Sequence, residues 1–363
     1  MTLFSPLFCT PLRAAAHGSD MKIIRCAIYA IVVAFVLPLI GLDAVAHAQS
    51  AAGNGAPAAP AGSKQKLIIR FTWKLKGEYA PLFVALDKGY YAAEGLDVDL
   101  AEGSGAETVV KMIGLGTEKI GYGPATVVGE AINRGLPVEI VAVYQPAVPM
   151  GLASFPDVPL KTPKDMEGRT LGVSIGETFA NLLEPFAEIN NVDLSRVKVV
   201  QMSSSARATQ FIARKLDIAS LYLTNELPLF EKTAGVKFNM ISISDFGLKV
   251  LGASFLVNDD FARSNPETIR KLLRATAKGY LDAKTDYKGA TDIMDKYMTL
   301  KIDHDVLERQ VRATMESAPE PADKPVGWQD DAEWKSNLEL LKRTGLIKDV
   351  KDSHVYYTNE YLR

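Results

Sequence analysis

The chain has 363 residues, with 43 acidic side chains against 41 lysines and arginines and a net charge of −2. That balance leaves no basic stripe, so nucleic acid has no electrostatic footprint to bind. Two cysteines and four histidines are too few for a disulfide framework or a zinc-type cluster, and the length suits two domains.

The first segment is not expected to belong to the fold. Residues 1–20 read as an extension, and Met21 looks like the better start. Lys22 and Arg25 make a positive patch, an apolar run covers 27–42, and Ala46-His47-Ala48 follows. Positive, apolar, small-x-small is the order of a secretory signal peptide, here 21–48 with a cut after Ala48. Pro38 and Gly41 interrupt the run and no stop-transfer charges follow it, which argues against a permanent anchor. Cys9 and Cys26 both precede the cut, so the mature chain is expected without disulfides, cysteine-bound metal or a thiol nucleophile. Residues 49–65 are mostly Ala, Gly, Pro and Ser and read as a flexible linker. The product is expected free in the periplasm.

Strand-like and helix-like stretches then alternate. Strands are predicted at 67–73, 96–103, 119–123 and 137–144, with helices at 80–95, 105–116 and 124–135 between them. A proline-rich loop over 145–163 follows. The rhythm resumes with strands at 170–174, 197–202, 218–223 and 238–243 and helices at 178–191, 206–216 and 225–235. A strand at 249–258 comes next, and the pattern is helical to the end. Strands alternating with helices imply parallel sheets covered on both faces. Two runs imply two lobes: 66–150 plus 250–363 as the first, and 151–249 as the second. Two chain crossings between them would give a hinge and a cleft; a simple tandem of two domains fits the same pattern.

Gly172-Val173-Ser174-Ile175-Gly176 matches G-x-S-x-G. A hydrolase elbow needs an acid and then a histidine after the serine. Only His304 and His354 remain in the mature chain, both in the helical C-terminal region. A secreted hydrolase using Ser174 is therefore the remote alternative. The same residues make a binding loop: a strand delivers Ser174, Gly176 turns the chain, and Glu177-Thr178 opens a helix whose first N–H groups lack internal partners. Thr178 as a plain helix cap is the blander reading. Similar turns follow other strands: Glu102-Gly103-Ser104-Gly105, Tyr122-Gly123-Pro124-Ala125-Thr126, Met202-Ser203-Ser204-Ser205, and Tyr222-Leu223-Thr224-Asn225-Glu226. Ligands of open α/β sheets sit outside the carboxyl ends of strands. Gly103-Ser104-Gly105 lacks the third glycine of a dinucleotide fingerprint. No catalytic residue, metal or cofactor is expected. Trp73, Tyr79, Tyr122, Tyr144, Phe179 and Tyr222 lie at strand ends or helix starts and offer flat faces for a planar ligand; for each, plain core packing is as good a reading.

Several stretches resemble the thiamine-precursor and nitrate/sulfonate/taurine class of ABC-transporter substrate-binding proteins. They are Trp73, Phe83-Val84-Ala85, Lys88-Gly89-Tyr90, Glu94-Gly95-Leu96-Asp97-Val98, "NRGLPVEIVAVY" (133–144), "GRTLGVSIG" (168–176), Trp334, Gly345-Leu346-Ile347 and the tail from Tyr357 to Leu362. The resemblance implies a type II-like, two-lobed periplasmic binding protein, not an enzyme. It would act as a monomer that captures a small solute and docks on an ABC permease and its ATPase at the inner membrane. Pyrimidine binders of the class stack the ring between aromatics, and Trp73 matches that position, with Tyr79 or Tyr122 as partner. Where those binders carry a histidine, this chain has Gly77-Glu78-Tyr79. The related fungal pyrimidine synthases carry a cysteine cluster and an active-site histidine, both missing here.

Glu78, Glu102, Glu177 and Glu226 flank the expected cleft, and an unpaired carboxylate buried beside an anion costs several kcal/mol. This favours a planar nitrogen heterocycle of thiamine-pyrimidine type. An oxyanion solute (sulfonate, taurine, nitrate or an aromatic acid) is the alternative, with Arg207 as its support.

Overall fold

The computed structural model describes residues 64–319 and 323–363. The expected extension, signal peptide and nearly all of the linker lie outside the described residues. Among these, no helix is long and apolar enough to cross a membrane.

The first run opens with β1 (Gln65–Phe71), whose Leu67, Ile69 and Phe71 alternate into the core. The single helix expected over 80–95 is two, α1 (Ala80–Asp87) and α2 (Tyr90–Ala93). The break falls at Gly89, left-handed at φ 73°, where a glycine pays no steric penalty. Then come β2 (Leu96–Ala101), α3 (Ala106–Gly114), β3 (Ile120–Pro124), α4 (Ala125–Asn133) and β4 (Val138–Val143).

The next element, β5 (Met150–Ser154), falls inside the stretch read as a loop. All five residues are buried, so no polar–apolar alternation marks them, and Met-Gly-Leu-Ala-Ser has no β-branched residue. The second run follows: β6 (Thr170–Ser174), α5 (Thr178–Ile189), β7 (Lys198–Met202), α6 (Ser204–Ile212), β8 (Ile218–Tyr222), α7 (Glu226–Ala234) and β9 (Asn239–Ser242). The strand expected over 249–258 is shorter, β10 (Ala253–Asn258). The remainder is α8 (Asp259–Ser264), α9 (Pro266–Thr285), α10 (Tyr287–Tyr297), α11 (His304–Ser317) and α12 (Asp331–Arg343).

Two five-stranded sheets result, ordered β2-β1-β3-β10-β4 and β7-β6-β8-β5-β9. In each, one strand runs antiparallel to the rest of the pattern: β10 between β3 and β4, and β5 between β8 and β9. The chain passes from the first sheet to the second after β4 and returns before β10, so the fold is two-lobed with two crossings. The crossings run side by side. Tyr144 N–H donates to Ala253 C=O (2.8 Å), Gly252 N–H to Gln145 C=O (2.9 Å), and Val148 N–H to Val250 C=O (2.6 Å).

One face of the first sheet packs against α1, α9, α10 and α11 around Ile69, Phe71, Phe255, Leu273 and Val311. Its other face packs Ile140 and Leu256 in one cluster with Val128 of α4 and α12 residues Trp334, Leu338 and Leu341. Each such side chain, fully buried, contributes about 1.5–3 kcal/mol, which fixes which face of every strand points inward. The second lobe has its own cores, one around Leu152, Leu171 and Phe186 and one around Phe211 and Phe230. Leu340 of α12 joins the second lobe's cluster, so this helix touches both lobes.

Candidate functional site

The carboxyl ends of the strands carry the candidate site, and the first lobe supplies one rim. Trp73, just past β1, is 46% exposed. Its carbonyl accepts the Gly103 N–H (3.2 Å), and Thr72 C=O accepts the Gly105 N–H (2.9 Å), which stitches the ends of β1 and β2 together. The approach is close enough that a Cβ at Gly103 would lie 2.0 Å from Phe71 O. Ser104 is exposed on this rim. Glu102 turns away to bond the Leu75 N–H (2.9 Å) and Lys74 (3.1 Å). Those bonds hold its carboxyl below the usual range, the Leu75 N–H foremost.

Tyr79, Tyr122 and Tyr144 do not present open faces. Each is at most 2% exposed. They form an aromatic layer beneath the rim, with Phe71 stacked on Tyr79 (4.0 Å between centroids) and Tyr144 stacked on Tyr280 (4.4 Å). Tyr122 stands edge-on to Phe71, Tyr79 and Phe255 and bonds Tyr280 hydroxyl to hydroxyl at 2.5 Å. Apolar burial outweighs exposure for such large rings, so the expectation of three cleft-wall tyrosines gives way to one of a buried support. Burial, with Glu78 alongside, pushes the Tyr79 hydroxyl well above its ordinary range. A cavity of about 440 Å³ lies on the hinge side of this layer, and Tyr144 is the one expected site residue in its wall.

The second lobe supplies the other rim. Ser174 ends β6, 1% exposed, and Ile175 and Gly176 turn outward. Glu177, not Thr178, occupies the cap position of α5, and it makes no capping bond. Its side chain instead meets Arg207 (2.6 Å) and Ser220. Glu226, the first residue of α7, bonds the same guanidinium and accepts the Tyr222 N–H (3.0 Å). Arg207 is 1% exposed. Burial pushes the Glu177 carboxyl up, against the pull of Arg207. The two glutamates expected as open ligand groups are thus paired. Phe179 is also displaced from its expected role: it is fully buried against Phe186 in the lobe's core, because the first turn of α5 faces it inward.

Three groups join the rims. Asn225 donates to Glu78 across the cleft (2.6 Å). Gln310 of α11 accepts the Gly77 N–H (3.1 Å) and donates to Asn225 C=O (2.9 Å). Tyr222 is half-buried, with Thr178, Glu78, Glu177 and Glu226 around its hydroxyl; burial first, then Glu78, raises its pKa. Gly123, at the end of β3, packs tightly on Thr72.

Several buried polar atoms here have no hydrogen-bond partner: Thr126 Oγ1, Tyr144 OH, Ser174 Oγ, Thr224 Oγ1 and Asn225 Oδ1. Buried polar groups are nearly always satisfied, so these atoms are candidate contacts for a guest; Asn133, Asp259 and Asn337, on α4, α8 and α12, also carry unsatisfied atoms. In addition, α3, α4, α5 and α7, which follow β2, β3, β6 and β8, lack side-chain caps. The first N–H of α4, on Ala125, is taken by Gly252 C=O (2.9 Å); other first-turn N–H groups are left for another acceptor. Thr126 lay in a small-residue turn after a strand, whereas Gln310 and Tyr280 had no local sequence signal. Their roles come from elements that meet only in the fold.

Residues 76–290 match the family described as NMT1/THI5 like. The riboflavin-binding protein RibY of Chloroflexus aurantiacus is 28% identical over 328 residues, 86% of this chain and 91% of that protein. A formylaminopyrimidine-binding protein of Halalkalibacterium halodurans is 21% identical over 75% of this chain and 83% of its own. A 4-amino-5-hydroxymethyl-2-methylpyrimidine phosphate synthase of Legionella pneumophila is 22% identical over 60% and 68%. Among solved structures, the periplasmic aliphatic sulphonate binding protein SsuA of Escherichia coli superposes with a TM-score of 0.61 at 14% identity, covering 81% of this chain and 92% of that one. At that identity the likeness is one of fold. The family match takes in strands of both sheets and more than half of the sequence, and on that ground the chain belongs to the NMT1/THI5-like family and carries the two-lobed fold of ABC-importer binding proteins.

Proposed function

We propose that this protein captures a planar nitrogen heterocycle, of the kind shared by flavins and aminopyrimidines, between its two lobes and delivers it unchanged to a membrane permease. The observation that carries the reading is the set of unsatisfied hydroxyl and amide groups at the ends of β3, β6 and β8. A guest with ring N–H donors and carbonyl acceptors, reaching from one rim to the other, satisfies them. Glu78 suits an N–H donor, and Trp73 offers the exposed aromatic face on which a ring can stack. Relatives named for binding riboflavin and formylaminopyrimidine support the same ligand chemistry.

Capture rather than turnover is favoured by the surroundings of Ser174. Its hydroxyl has no partner among the described residues. The two described histidines lie on the surface, His304 bonded to Asp292 and His354 to Asp352 (3.0 Å each). Among the described residues no histidine therefore stands ready to activate the serine. The test is calorimetry and thermal melting of the mature chain with riboflavin, an aminopyrimidine and an alkanesulfonate. A ligand at 100 times its Kd stabilises by about 2.7 kcal/mol, which raises the melting temperature by several degrees. The reading fails if neither heterocycle binds; binding of one and not the other decides between the two ring systems.

A further inference from the structure

We propose that Arg207, Glu177 and Glu226 form a charge filter: two carboxylates occupy the one guanidinium of the second rim and the starts of the two helices that face the cleft there, so anionic solutes are rejected. The inference rests on the preceding reading of the cleft as a site for an uncharged ring, and sets the selectivity of that site.

An oxyanion needs hydrogen-bond donors and positive charge. It binds best at an uncapped helix start with an arginine within reach. The second lobe has both parts. Helices α5 and α7, 12 and 9 residues long, begin at the rim without side-chain caps. Arg207 lies between them, and Ser174 Oγ, buried and unpartnered, stands at the entrance to α5. Yet each helix start carries a glutamate, and both glutamates turn onto Arg207, Glu177 at 2.6 Å. Ser220 holds the arrangement from behind, bonding Glu177 and accepting from Arg207 at 3.2 Å. Two negative groups meet one positive group, in a place where the guanidinium is 1% exposed. An incoming sulfonate finds both terminal nitrogens of Arg207 taken, with only its buried Nε–H unpartnered, and meets the surplus carboxylate charge in a poorly solvated setting, where like charges repel strongly. A neutral ring meets no such penalty.

The alternative is that the triad only ties the β6–α5 and β8–α7 turns together. The distinguishing readout is the affinity ratio for butanesulfonate over riboflavin, measured by calorimetry at low and high salt on wild type, E226Q, E177Q/E226Q and R207M/E177Q/E226Q. Replacing one carboxylate is expected to raise the ratio severalfold and replacing both by at least tenfold. That gain should weaken as salt rises, and it should vanish when Arg207→Met is added. Should the double variant fail to fold, E226Q alone decides, since a folded E226Q with an unchanged ratio overturns the filter. So does wild type binding butanesulfonate as tightly as the carboxylate-free variant. If riboflavin does not bind wild type, the reading of the ligand is what has failed. The sulfonate affinities across the variants still judge the filter.

Discussion

Gln310→Ala tests whether the cleft closes by hydrogen bonds of its own. Gln310 is 4% exposed and makes one bond to each side, accepting from Gly77 N–H at 3.1 Å and donating to Asn225 C=O at 2.9 Å. Gly77 and Gln310 share the first lobe, so only the bond to Asn225 crosses the cleft; a buried bond of this kind contributes about 0.5–1.5 kcal/mol net, and its loss costs the closed form about that much. Loss of the Gly77 bond is common to both forms, whereas parting of the lobes already lets water reach Asn225 C=O, so the open form loses much less from the crossing bond. The population of the closed form should therefore fall by about 2- to 12-fold relative to the open one, where 1.4 kcal/mol is tenfold. If closure precedes capture, apparent affinity weakens as the competent fraction shrinks. The mature chain is expected to lack cysteine, so spin labels go on cleanly at exposed Leu115 and Val236, one in each lobe. Pulsed electron resonance should show a longer distance in the variant without ligand and recovery with it. A variant with an unchanged distance distribution and a melting temperature lowered by the full amount would refute the reasoning, because Gln310 would then serve the fold and not the closure.

Gly103→Ala places a methyl group 2.0 Å from the Phe71 carbonyl oxygen, against backbone that cannot rotate away. Overpacking of this kind costs about 1–3 kcal/mol, read as a lower urea midpoint, and an unchanged midpoint would contradict the observed approach. Ser174→Ala removes a buried hydroxyl without a partner, so it should raise the melting temperature of the empty protein while weakening solute binding; loss of stability would mean the hydroxyl is satisfied after all. Burial, with Asp259 and Glu360 nearby and Arg263 opposing, pushes the Glu139 carboxyl up to about 7. The folded protein then holds a proton that the unfolded chain releases near its ordinary pKa of about 4.3. Stability from this group is present below that value and lost as pH rises to about 7. Glu139→Gln should therefore melt higher than wild type at pH 8, with the difference gone near pH 4.5, and a gap that does not change with pH would rule this out.

Much of the architecture was legible because helices and strands imprint different periods. The strand–helix rhythm from β1 to β9 stands nearly as the periodicity predicts, and the two crossings fall where proline and glycine gather. β5 was not legible, since a short strand buried on both faces has no alternation to display. Nor was the break at Gly89 visible within an otherwise helical stretch. At the site, the turns after the strands were readable from their small residues, and Ser174, Glu177, Glu226 and Arg207 all stood out. Their pairing did not, because Arg207 lies on a helix whose facing is settled only by packing. The tyrosines were picked for position along the chain, while burial depends on what covers them, and the cover for Tyr122 and Tyr144 comes from Tyr280, some 140 to 160 residues downstream.

The paired crossings constrain how the molecule can move. Two separate tethers would let one half swivel, slide or tilt against the other. A ribbon laced by Tyr144–Ala253, Gln145–Gly252 and Val148–Val250 bends across its width far more readily than it shears along its length. The same edges of the two halves should therefore meet on every cycle, and whatever recognises the shut form outside is shown one repeatable face.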